Sequence, residues 1–535
     1  MGTGLNILTG LNPAFATPKV ASLPELVIGA AAFGDKQAWF FEQSNQSITF
    51  HQIAPLVAKT ASVLLAQGTT DGQPVALMCD NTMEFPISWL ALSWLGAPMV
   101  PMNPRYGVID ATHLISTAGV KTAIVAKKYV GLFKEFAKEL SWPLRIIEAE
   151  GLLEDAANAA EIQPVGTGDS IANIQFTSGT TGAPKGCVLG QEYWIQIAHT
   201  LTEEFPNISS SDTMLTAQPF YYIDPQWNLI TSLYSGAKLV VLDGFHPSSF
   251  FERVRHYGVT YFYCLGMMPN LLLKMPADAA DKKHRVRAVE ASAIPTTIHA
   301  ELEERFGVSW YEAFGMTETG ADIFVPEEIT PQLAGNGSIG RPRNHREVKI
   351  VDSEGNTLGP GEVGRLMIAG PGMMRGYFND PESTMAAFDG KWFDSGDLAS
   401  FDEDGLLYHR GRTKDMIRRS GENISAAELE TLLNSHPKVK ISGAISVSDD
   451  LRGEEVLAVI EPTQPVKDHP LFFQELVEYC EARVASFKVP RYFKLTDQMP
   501  LTVSERVSKK ELKQEQFLIK VWDKTTGEVL ERVDA

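Results

Sequence analysis

The stretch that decides the fold reads FTSGTTGAPKG, from Phe176 to Gly186, and follows an apolar run that begins at Ile171. Glycine reaches backbone conformations closed to other residues and leaves N–H groups accessible, so such a loop can approach a polyanion. Lys185 adds a mobile positive charge. Further hydroxyl or backbone donors come from Thr177, Ser178, Gly179, Thr180, Thr181 and Gly182. The stretch therefore predicts a strand followed by a loop that holds a phosphate chain.

An ordinary flexible glycine turn is the plainest alternative for this stretch. A Walker A loop is excluded, because that motif closes on Gly-Lys-Ser/Thr whereas Pro184 precedes Lys185 and Gly186 follows it. The stretch resembles the phosphate-binding signature of the acyl-adenylating superfamily, which includes acyl-CoA synthetases, luciferases and peptide-synthetase adenylation domains.

Composition and charge limit the class of protein. The chain has 535 residues, of which 44% are hydrophobic and 21% charged, so a globular protein of at least two domains is expected. A net charge of −19 without a basic tract argues against nucleic acid and anionic membrane surfaces as partners. An anionic substrate then needs locally placed cations.

The expected compartment is the cytoplasm. No lysine or arginine precedes Lys19, so the basic start of a signal peptide is missing. The most apolar run, Phe85 to Val100, is short for a membrane span and is interrupted by Pro86 and Pro98, so no integral membrane segment is expected. The cysteines are scattered without metal-ligand spacing, which fits free thiols in a reducing compartment. A homo-oligomer is left open.

The fold class predicted for the N-terminal part is α/β. Helical patterns alternate with short apolar strands from Leu23 to Lys121, which favours βαβ units and a mostly parallel sheet. A second alternating series follows the phosphate loop, so we expect two stacked α/β layers. Glycine, proline and short β-runs between Ser338 and Gly376 predict a small β-barrel-like subdomain.

That subdomain contains a misleading motif. Gly359, Gly361 and Gly364 satisfy the dinucleotide-binding pattern G-x-G-x-x-G. Pro360 stiffens this loop, and a strand is predicted after it instead of the helix that a phosphate site needs. We therefore interpret the motif as a β-turn.

A change in sequence pattern after Gly411 predicts a second domain. Ser425 opens an amphipathic helix, and Glu428 occupies the capping-box position. Strands and one further helix follow, the final predicted strand lying around Tyr492 to Leu495. We expect a large N-terminal domain of residues 1–411 and a small, mobile α+β domain of residues 412–535.

Further motifs follow in the order that the acyl-adenylating superfamily requires. The run YEAFGMTETG, from Tyr311, resembles the family's Tyr-Gly-x-Thr-Glu element. The resemblance implies that Phe314 and Gly315 cover the adenine of ATP, that Thr317 touches phosphate and that Glu318 holds Mg²⁺, which prefers carboxylate oxygen. An ordinary glycine turn with a solvated glutamate is the alternative. Phe314 stands where tyrosine is usual, so the ring is kept and a hydroxyl is lost.

Two motifs imply the rest of the nucleotide site. WFDSGDLA, from Trp392, resembles the ribose motif, in which Asp397 accepts both ribose hydroxyls, although an aspartate in a glycine turn often only caps backbone N–H groups. Gly-Arg-Thr-Lys-Asp places Arg412 on the nucleotide and the interdomain hinge at Lys414. The segment from Gly421 to Asn423 is implied to reach the coenzyme A tunnel.

The C-terminal loop departs from the family pattern of Pro-x-Thr-x-x-Gly-Lys. Pro500 to Val507 reads PLTVSERV, so Glu505 replaces the glycine and Arg506 the catalytic lysine. Arginine keeps the positive charge, but its planar fork is not interchangeable with an ammonium group. Arg506 is expected to act in its place, with Lys509, Lys510 or slow adenylation as alternatives.

The resemblance implies an AMP-forming acid–CoA ligase that uses ATP, Mg²⁺ and coenzyme A. The carboxylate of a small acid attacks the α-phosphorus of ATP, with Lys185, Mg²⁺ on Glu318 and Arg506 spreading the charge, and coenzyme A then displaces AMP. One alternative is an adenylating enzyme whose acceptor is not coenzyme A; luciferase chemistry is another. A third is a nucleotide and carboxylate binder whose catalysis is impaired by Arg506.

The segment PFYYIDPQWN, from Pro219, lies where the family builds its acyl pocket, and it resembles most the crotonobetaine and carnitine CoA ligase branch. Aromatic rings beside a carboxylate would suit an onium cation by cation–π attraction, although core packing is an equal interpretation. The candidate substrate-binding residues are Tyr221, Tyr222, Asp224, Trp227 and Met267. The sequence does not identify the acid.

Overall fold

The structure is a computed structural model that describes residues 6–15, 17–177, 184–265, 268–329, 333–419, 422–449, 452–502 and 506–535. The side chains of residues 414, 422 and 423 lie outside this description. The described strands form three sheets, of six, fifteen and seven strands. The predicted α/β architecture, with a large N-terminal sheet region and a smaller C-terminal unit, is confirmed.

The six-stranded sheet forms the first α/β layer. Five of its six strands are parallel. The sixth, Lys185–Gly190, pairs antiparallel with Ile171–Thr177 at the sheet edge. In spatial order the strands are Arg145–Glu148, Thr122–Val125, Val75–Met78, Met99–Pro101, Ile171–Thr177 and Lys185–Gly190. The helices of this part of the chain are Leu23–Ala30, Phe50–Ala66, Glu84–Leu95, Val108–Ala118, Val130–Lys138 and Ala149–Ala156.

The parallel part of the fifteen-stranded sheet forms the second layer. Its strands are Gln37–Phe41, Lys238–Val241, Thr213–Thr216, Tyr261–Leu265, Ala288–Ser292 and Trp310–Met316, with Gln46–Thr49 antiparallel at the edge. Its helices are Gln191–Glu203, Ile223–Ser235, Phe250–His256, Met268–Leu273 and Thr296–Phe306.

Side chains from both layers meet in one hydrophobic core, because each sheet must cover an apolar face. Trp89 and Trp194 pack edge to face within it, with ring centroids 4.8 Å apart. The Trp89 indole donates to Asn173 Oδ1 at 2.8 Å, and Asn173 donates to Gln226 Oε1 at 2.8 Å. These buried bonds tie the helix Ile223–Ser235, which carries the predicted acyl-pocket residues, to the strand before the phosphate loop.

The second sheet continues into the predicted barrel-like subdomain through antiparallel strands. These are Gly320–Phe324, Ser338–Pro342, Leu407–Arg412, Trp392–Phe401, Gly364–Ala369, Glu347–Val351 and Ile7–Thr9, with Phe388–Asp389 paired to the long strand. A short helix, Pro381–Ala387, crosses this region. Gly364 opens a strand, so the rejection of the dinucleotide motif is confirmed.

The seven-stranded sheet is built from the C-terminal part of the chain. Its strands are Met416–Arg419, Glu422–Ser425, Val439–Asp449, Gly453–Pro462, Tyr492–Leu495, Ile519–Asp523 and Val529–Arg532, and its helices are Ala426–Asn434, His469–Glu481, Lys509–Leu512 and Glu515–Leu518. Short 3-10 helices elsewhere are Ala31–Phe33, Lys127–Tyr129, Glu327–Ile329, Thr413–Asp415 and Ser486–Lys488.

Two details of this unit differ from the sequence prediction. Tyr492–Leu495 is not the final strand, because the hairpin of Ile519–Asp523 and Val529–Arg532 follows it at the sheet edge. Ser425 does cap its helix by accepting the Glu428 N–H at 3.3 Å, but the Glu428 carboxylate binds Lys488 at 2.7 Å. Among the described residues, no helix has the length and apolar character that crossing a membrane requires.

Candidate active site

The phosphate loop is held at both ends by the first sheet. Thr177 and Lys185 are directly paired across the antiparallel strands that flank it. The Lys185 ammonium lies 5.0 Å from the centre of the Tyr377 ring, a cation–π arrangement. The predicted loop residues Ser178, Gly179, Thr180, Thr181 and Gly182 lie outside the described residues. The structure therefore places the entry and exit of the loop, with its lysine facing an aromatic ring.

Tyr377 connects that lysine to the predicted metal ligand. Its hydroxyl donates to Glu318 Oε1 at 3.4 Å, and the Glu318 backbone carbonyl accepts the Met374 N–H at 2.7 Å. Glu318 is buried, and this burial raises the pKa of its carboxyl group, while the charge of Arg412 acts in the opposite direction. A desolvated carboxylate of this kind is stabilised by a cation.

Glu318 lies in the turn between the strands Trp310–Met316 and Gly320–Phe324. Gly315 is required at the end of the first strand, because an added Cβ would lie 2.3 Å from the Gly320 carbonyl oxygen. The turn is fixed below by Thr319, whose hydroxyl donates to Asp322, and Arg346 Nε donates to the same carboxylate at 2.7 Å. Buried polar bonds therefore position both Thr317 and Glu318.

The predicted adenine wall lies beside the ribose residues. A β-bulge interrupts the strand pairing between Phe314 and Gly315. The Phe314 ring is half-buried, and its centre lies 6.0 Å from the His409 ring centre. His409 stands on the strand Leu407–Arg412, so the aromatic wall and the ribose motif share one face of the second sheet.

Asp397 has the most distinctive environment in this region. Its side chain is 3% exposed, and its Oδ1 accepts from His409 Nε2 at 3.0 Å and forms an ion pair with Arg412 Nε at 3.1 Å. Its Oδ2 is buried and has no hydrogen-bond partner among the described residues. Buried polar atoms are normally paired, so this oxygen is suited to accept hydroxyl groups from a ligand.

A narrow cavity of about 20 Å³ extends from this region into the second layer. It is lined by Leu201, Asp224, Trp227, Asn228, Tyr261, Tyr263, Glu290, Ala313, Phe314, Gly315, Ala321, Ile323 and Arg343. Two predicted substrate residues, Asp224 and Trp227, are among them. Tyr221 and Tyr222 pack on each other with ring centres 4.6 Å apart and are not part of this lining, and Met267 lies outside the described residues.

A buried polar network lies at the floor of the cavity and was not predicted from the sequence. Glu290 accepts from the Tyr261 hydroxyl at 2.7 Å and from Arg343 at 2.8 Å. Tyr263 is hydrogen-bonded to Ser292 at 2.5 Å. Arg343 therefore neutralises Glu290, which leaves Asp224 without an ion pair within 4.0 Å among the described residues of the cavity.

Asp224 also interacts electrostatically with a residue of the C-terminal unit. Burial raises the pKa of its carboxyl group to about 6, and the positive charge of Arg506 opposes that rise. Arg506 is exposed, and its loop is closed by hydrogen bonds between Thr502 and Arg506 at 2.7 and 3.2 Å. Glu505 lies outside the described residues. The charge of Arg506 therefore acts on Asp224 in this cavity.

The two lysines considered as substitutes for Arg506 differ in position. The Lys509 ammonium is bound to the Glu430 carboxylate and donates to the Ala444 carbonyl at 2.7 Å. Lys510 is exposed. Lys509 is therefore engaged inside the C-terminal unit in this conformation.

The remaining predicted residues concern the coenzyme A step. Lys414 lies in the 3-10 helix Thr413–Asp415, between the last strand of the large sheet and the first strand of the C-terminal sheet. Gly421 lies outside the described residues. Within the described ranges, no group of three or more His, Cys, Asp or Glu side chains forms a metal site. A cation that keeps most of its ligands from phosphate and water fits a site with one carboxylate.

Sequence families match most of the chain. The family described as AMP-binding enzyme matches residues 28–378, and the AMP-binding enzyme C-terminal domain matches residues 428–506. The crotonobetaine/carnitine–CoA ligases of Salmonella typhimurium (strain LT2) and Salmonella typhi are each 30% identical to the chain over 507 residues. Each match covers 90% of this chain and 97% of the relative.

Solved structures give the same result for the fold. The o-succinylbenzoate CoA synthetase of Bacillus subtilis in complex with its acyl-adenylate intermediate is 26% identical, with a TM-score of 0.83 over 92% of this chain and 98% of that chain. The same enzyme in complex with ATP and magnesium ion has a TM-score of 0.82 at 26% identity, covering 91% and 99%. A Mycobacterium tuberculosis fatty acyl CoA synthetase has a TM-score of 0.72 at 25% identity, covering 93% and 98%.

Proposed function

This chain belongs to the AMP-binding enzyme family, and we propose that it is an AMP-forming acid–CoA ligase, which activates a carboxylic acid with MgATP and transfers the acyl group to coenzyme A. The observation that carries the proposal is the carboxylate of Asp397, which has one oxygen held by His409 and Arg412 and the other buried without a partner. An acceptor of this kind fits a pair of ribose hydroxyls.

The nucleotide would be held by residues from both layers. Asp397 accepts the ribose hydroxyls, and Arg412 keeps that carboxylate oriented. Phe314 and Gly315 form the adenine wall. The donors at Thr177 and the loop that follows it, together with Lys185, bind the phosphates, since Lys185 stands at the exit of that loop. Thr317 contributes a further hydroxyl from the turn beside Glu318.

Glu318 would hold Mg²⁺, because a buried carboxylate with a raised pKa is stabilised by a cation and magnesium prefers oxygen ligands. When bound, the metal neutralises phosphate charge. Tyr377 donates to the same carboxylate, which leaves the other oxygen of Glu318 for the cation. The residues present therefore fit the metal that the family uses.

Adenylation would begin with the acid seated in the cavity, its carboxylate directed toward the nucleotide. A carboxylate oxygen forms a bond to the α-phosphorus, the bond from that phosphorus to the bridging oxygen breaks, and pyrophosphate leaves with the electron pair. Lys185 and Arg506 stabilise the developing negative charge from opposite domains. Arg506 is suited to this role because its charge already acts on Asp224 in the cavity.

Thioester formation would complete the reaction. The coenzyme A sulfur attacks the acyl carbonyl, the bond from the carbonyl carbon to the phosphate oxygen breaks, and AMP leaves. We place the domain boundary between residues 411 and 412 and the hinge at Lys414, where the 3-10 helix Thr413–Asp415 joins the two sheets. Gly421 and its neighbours would then contact the thiol after the small domain rotates.

The cavity supports a compact acid with a cationic or hydrogen-bond-donating end. Its volume of about 20 Å³ leaves no room for a bulky acid. Asp224 attracts a cation and disfavours a second carboxylate, and Trp227 offers an aromatic face. Both relatives from Salmonella are named for carnitine and crotonobetaine, so we place the acid in that chemical class.

We place the enzyme in the cytoplasm without a nucleic-acid partner. All four cysteines are buried free thiols, and the net charge is −19. The free thiols support a reducing compartment. The negative charge argues against affinity for polyanionic nucleic acid.

The test is a panel of acids assayed for ATP-dependent pyrophosphate release and for AMP release that requires coenzyme A. The panel contains carnitine, betaines, short fatty acids and aromatic acids. We expect activity with at least one compact acid. Pyrophosphate release without thioester formation would assign a different acceptor. If every acid is silent while ATP binds, the chain is a binder and the ligase proposal fails.

A further inference from the structure

A second charged recess lies away from the nucleotide and acyl sites. It is open to solvent and has an empty volume of about 780 Å³. It is lined by Arg255, His256, Tyr257, Gly258, Lys283, His284 and Arg285. No acidic residue contributes to this lining, although the chain as a whole carries a net charge of −19. The recess is therefore a local concentration of positive charge on an acidic protein.

Two acidic side chains close to the recess are paired with arginines outside its lining. Asp281, two positions before Lys283, binds Arg305 at 2.9 Å. Glu42, which accepts from the Tyr257 hydroxyl at 3.1 Å, binds Arg253 at 3.1 Å. Neither carboxylate is left to neutralise the lining.

The cations of the lining keep their charges available. Arg255 donates only to a backbone carbonyl, that of Ala280, at 3.2 Å. Lys283 and Arg285 are exposed, and among the described residues neither has a carboxylate within 4.0 Å. His284 is committed on both ring nitrogens, to the Phe306 carbonyl at 2.9 Å and the Val286 N–H at 3.1 Å. Burial and the charge of Arg255 both lower the pKa of His284, which is consistent with a positive local potential.

The recess lies at the N-terminal ends of the parallel strands, and the proposed nucleotide site lies at their C-terminal ends. Gly258 and Arg285 precede the parallel strands Tyr261–Leu265 and Ala288–Ser292, whereas Phe314 and Glu318 lie at or beyond the far end of their strand. A strand of five residues advances about 3.3 Å per residue, so roughly 15 Å of sheet separates the two edges. A ligand in the recess does not reach the nucleotide site.

We infer that this recess binds a compact anion that carries two or more phosphate groups. Several unpaired cations facing one concavity repel each other until an anion neutralises them, and guanidinium groups bind phosphate oxygens through two parallel N–H bonds. The net charge of −19 on the whole chain disfavours anion binding elsewhere, so binding concentrates in the recess. A concave lining also favours a compact ligand over a flat anionic surface.

The inference is tested with inorganic pyrophosphate as the probe and hydrogen–deuterium exchange as the readout. Exchange locates binding, so the recess is distinguished from the nucleotide site, which also takes phosphates. We expect pyrophosphate to slow exchange in residues 250–258 and 281–287. Coenzyme A is the second arm, and stronger protection by coenzyme A than by pyrophosphate would identify a nucleotide-bearing ligand as the source of the phosphates.

The variant Lys283→Glu/Arg285→Glu reverses two exposed charges, so its fold is expected to be unaffected. We expect it to weaken protection of the recess by roughly tenfold or more, because two attractions become repulsions. Protection of residues 311–320 by ATP remains unchanged. The control variant Lys134→Glu/Lys467→Glu makes the same change in net charge at other exposed positions and leaves the recess protected.

Three outcomes overturn the inference. One is no slowing of exchange in residues 250–258 and 281–287 at any pyrophosphate concentration. Another is equal slowing in wild type and in Lys283→Glu/Arg285→Glu. The third is slowing by a hexaglutamate peptide without slowing by pyrophosphate, which would assign the recess to an acidic protein segment.

Discussion

Arg412 Nε lies 3.1 Å from Oδ1 of Asp397 in an ion pair, and the two residues are directly paired on neighbouring antiparallel strands. The register of the sheet therefore fixes which carboxylate oxygen the arginine occupies. Because His409 takes the same oxygen at 3.0 Å, Oδ2 is left as the acceptor for a ligand. The strand register thus helps to orient a carboxylate whose second oxygen has no hydrogen-bond partner among the described residues.

Asp397→Asn is expected to weaken binding of AMP by roughly tenfold to hundredfold. The amide preserves the shape of the side chain but loses the charge, and each hydrogen bond to a charged group contributes about 1.5–3 kcal/mol. Isothermal titration calorimetry with AMP measures the change. Asp402→Asn is the matched control, since Asp402 accepts from Tyr408 at 2.9 Å in a surface turn. An unchanged affinity in Asp397→Asn would remove the ribose role from this residue.

Tyr377→Phe is expected to move the acid limb of the pH–rate profile to higher pH. Glu318 acts as a carboxylate, and burial already raises its pKa. The Tyr377 hydroxyl stabilises the ionised form by donating at 3.4 Å, so its loss raises that pKa further and the active fraction falls at low pH. We expect activity to fall by several-fold at pH 6 and little at pH 8, a difference of under about 1.4 kcal/mol.

The control for this change is Tyr408→Phe, which removes a hydroxyl that binds Asp402 instead of Glu318. Its profile should follow the wild type. Parallel profiles for Tyr377→Phe and wild type would separate Glu318 from the ionisation that limits the rate.

Arg506→Ala is expected to slow carboxylate-dependent pyrophosphate exchange by about a hundredfold, because a charge that stabilises the transition state is lost. Thioester formation from a pre-formed acyl adenylate should change little, since the proposed mechanism places that step after rotation of the small domain. Arg506→Lys restores the usual residue of the family and should retain exchange.

Two further variants separate Arg506 from its neighbours. Lys510→Ala removes an exposed charge and should be silent. Lys509→Ala should lower stability more than exchange, because Lys509 is the ion-pair partner of the half-buried Glu430. If Arg506→Ala exchanges pyrophosphate at the wild-type rate, the catalytic charge comes from elsewhere.

Much of the fold was predictable because local pattern and tertiary structure agree. The strands Glu347–Val351 and Tyr492–Leu495 begin and end where their apolar alternation begins and ends, and Ser425 caps the predicted helix. The hairpin of Ile519–Asp523 and Val529–Arg532 was missed because its strands are only five and four residues long and contain apolar runs of only two residues.

The site was predictable only where a residue belongs to a contiguous motif. Asp397 and Glu318 stand in such motifs, and the structure brings them to one region. Tyr377, His409 and Arg343 escaped notice because their partners lie 59, 12 and 53 positions away, respectively, and sequence spacing carries no signal for a contact that only the sheet creates. Tyr221 and Tyr222 show the opposite case: they are adjacent in the sequence motif, but neither lines the cavity.

Glu312 should make stability fall as the pH rises from about 4.5 to about 7. Burial raises the pKa of its carboxyl group to about 7 from 4.5, while the backbone N–H groups of Ile294 and Ala293 oppose the rise. Between these values the folded chain holds a proton that the unfolded chain has released, so deprotonation favours unfolding. A shift of this size corresponds to about 3 kcal/mol at most.

Glu312→Gln removes this titration, so the stability of the variant relative to wild type should be higher at pH 8 than at pH 5. Urea unfolding at the two pH values measures the difference, and Glu328→Gln, at an exposed position, is the control that should show no such change. The comparison isolates Glu312, because all other groups titrate alike in both proteins. Unfolding curves whose separation does not depend on pH would mean that Glu312 titrates as it does in water, despite accepting the Ala293 and Ile294 N–H groups at 2.5 and 2.8 Å.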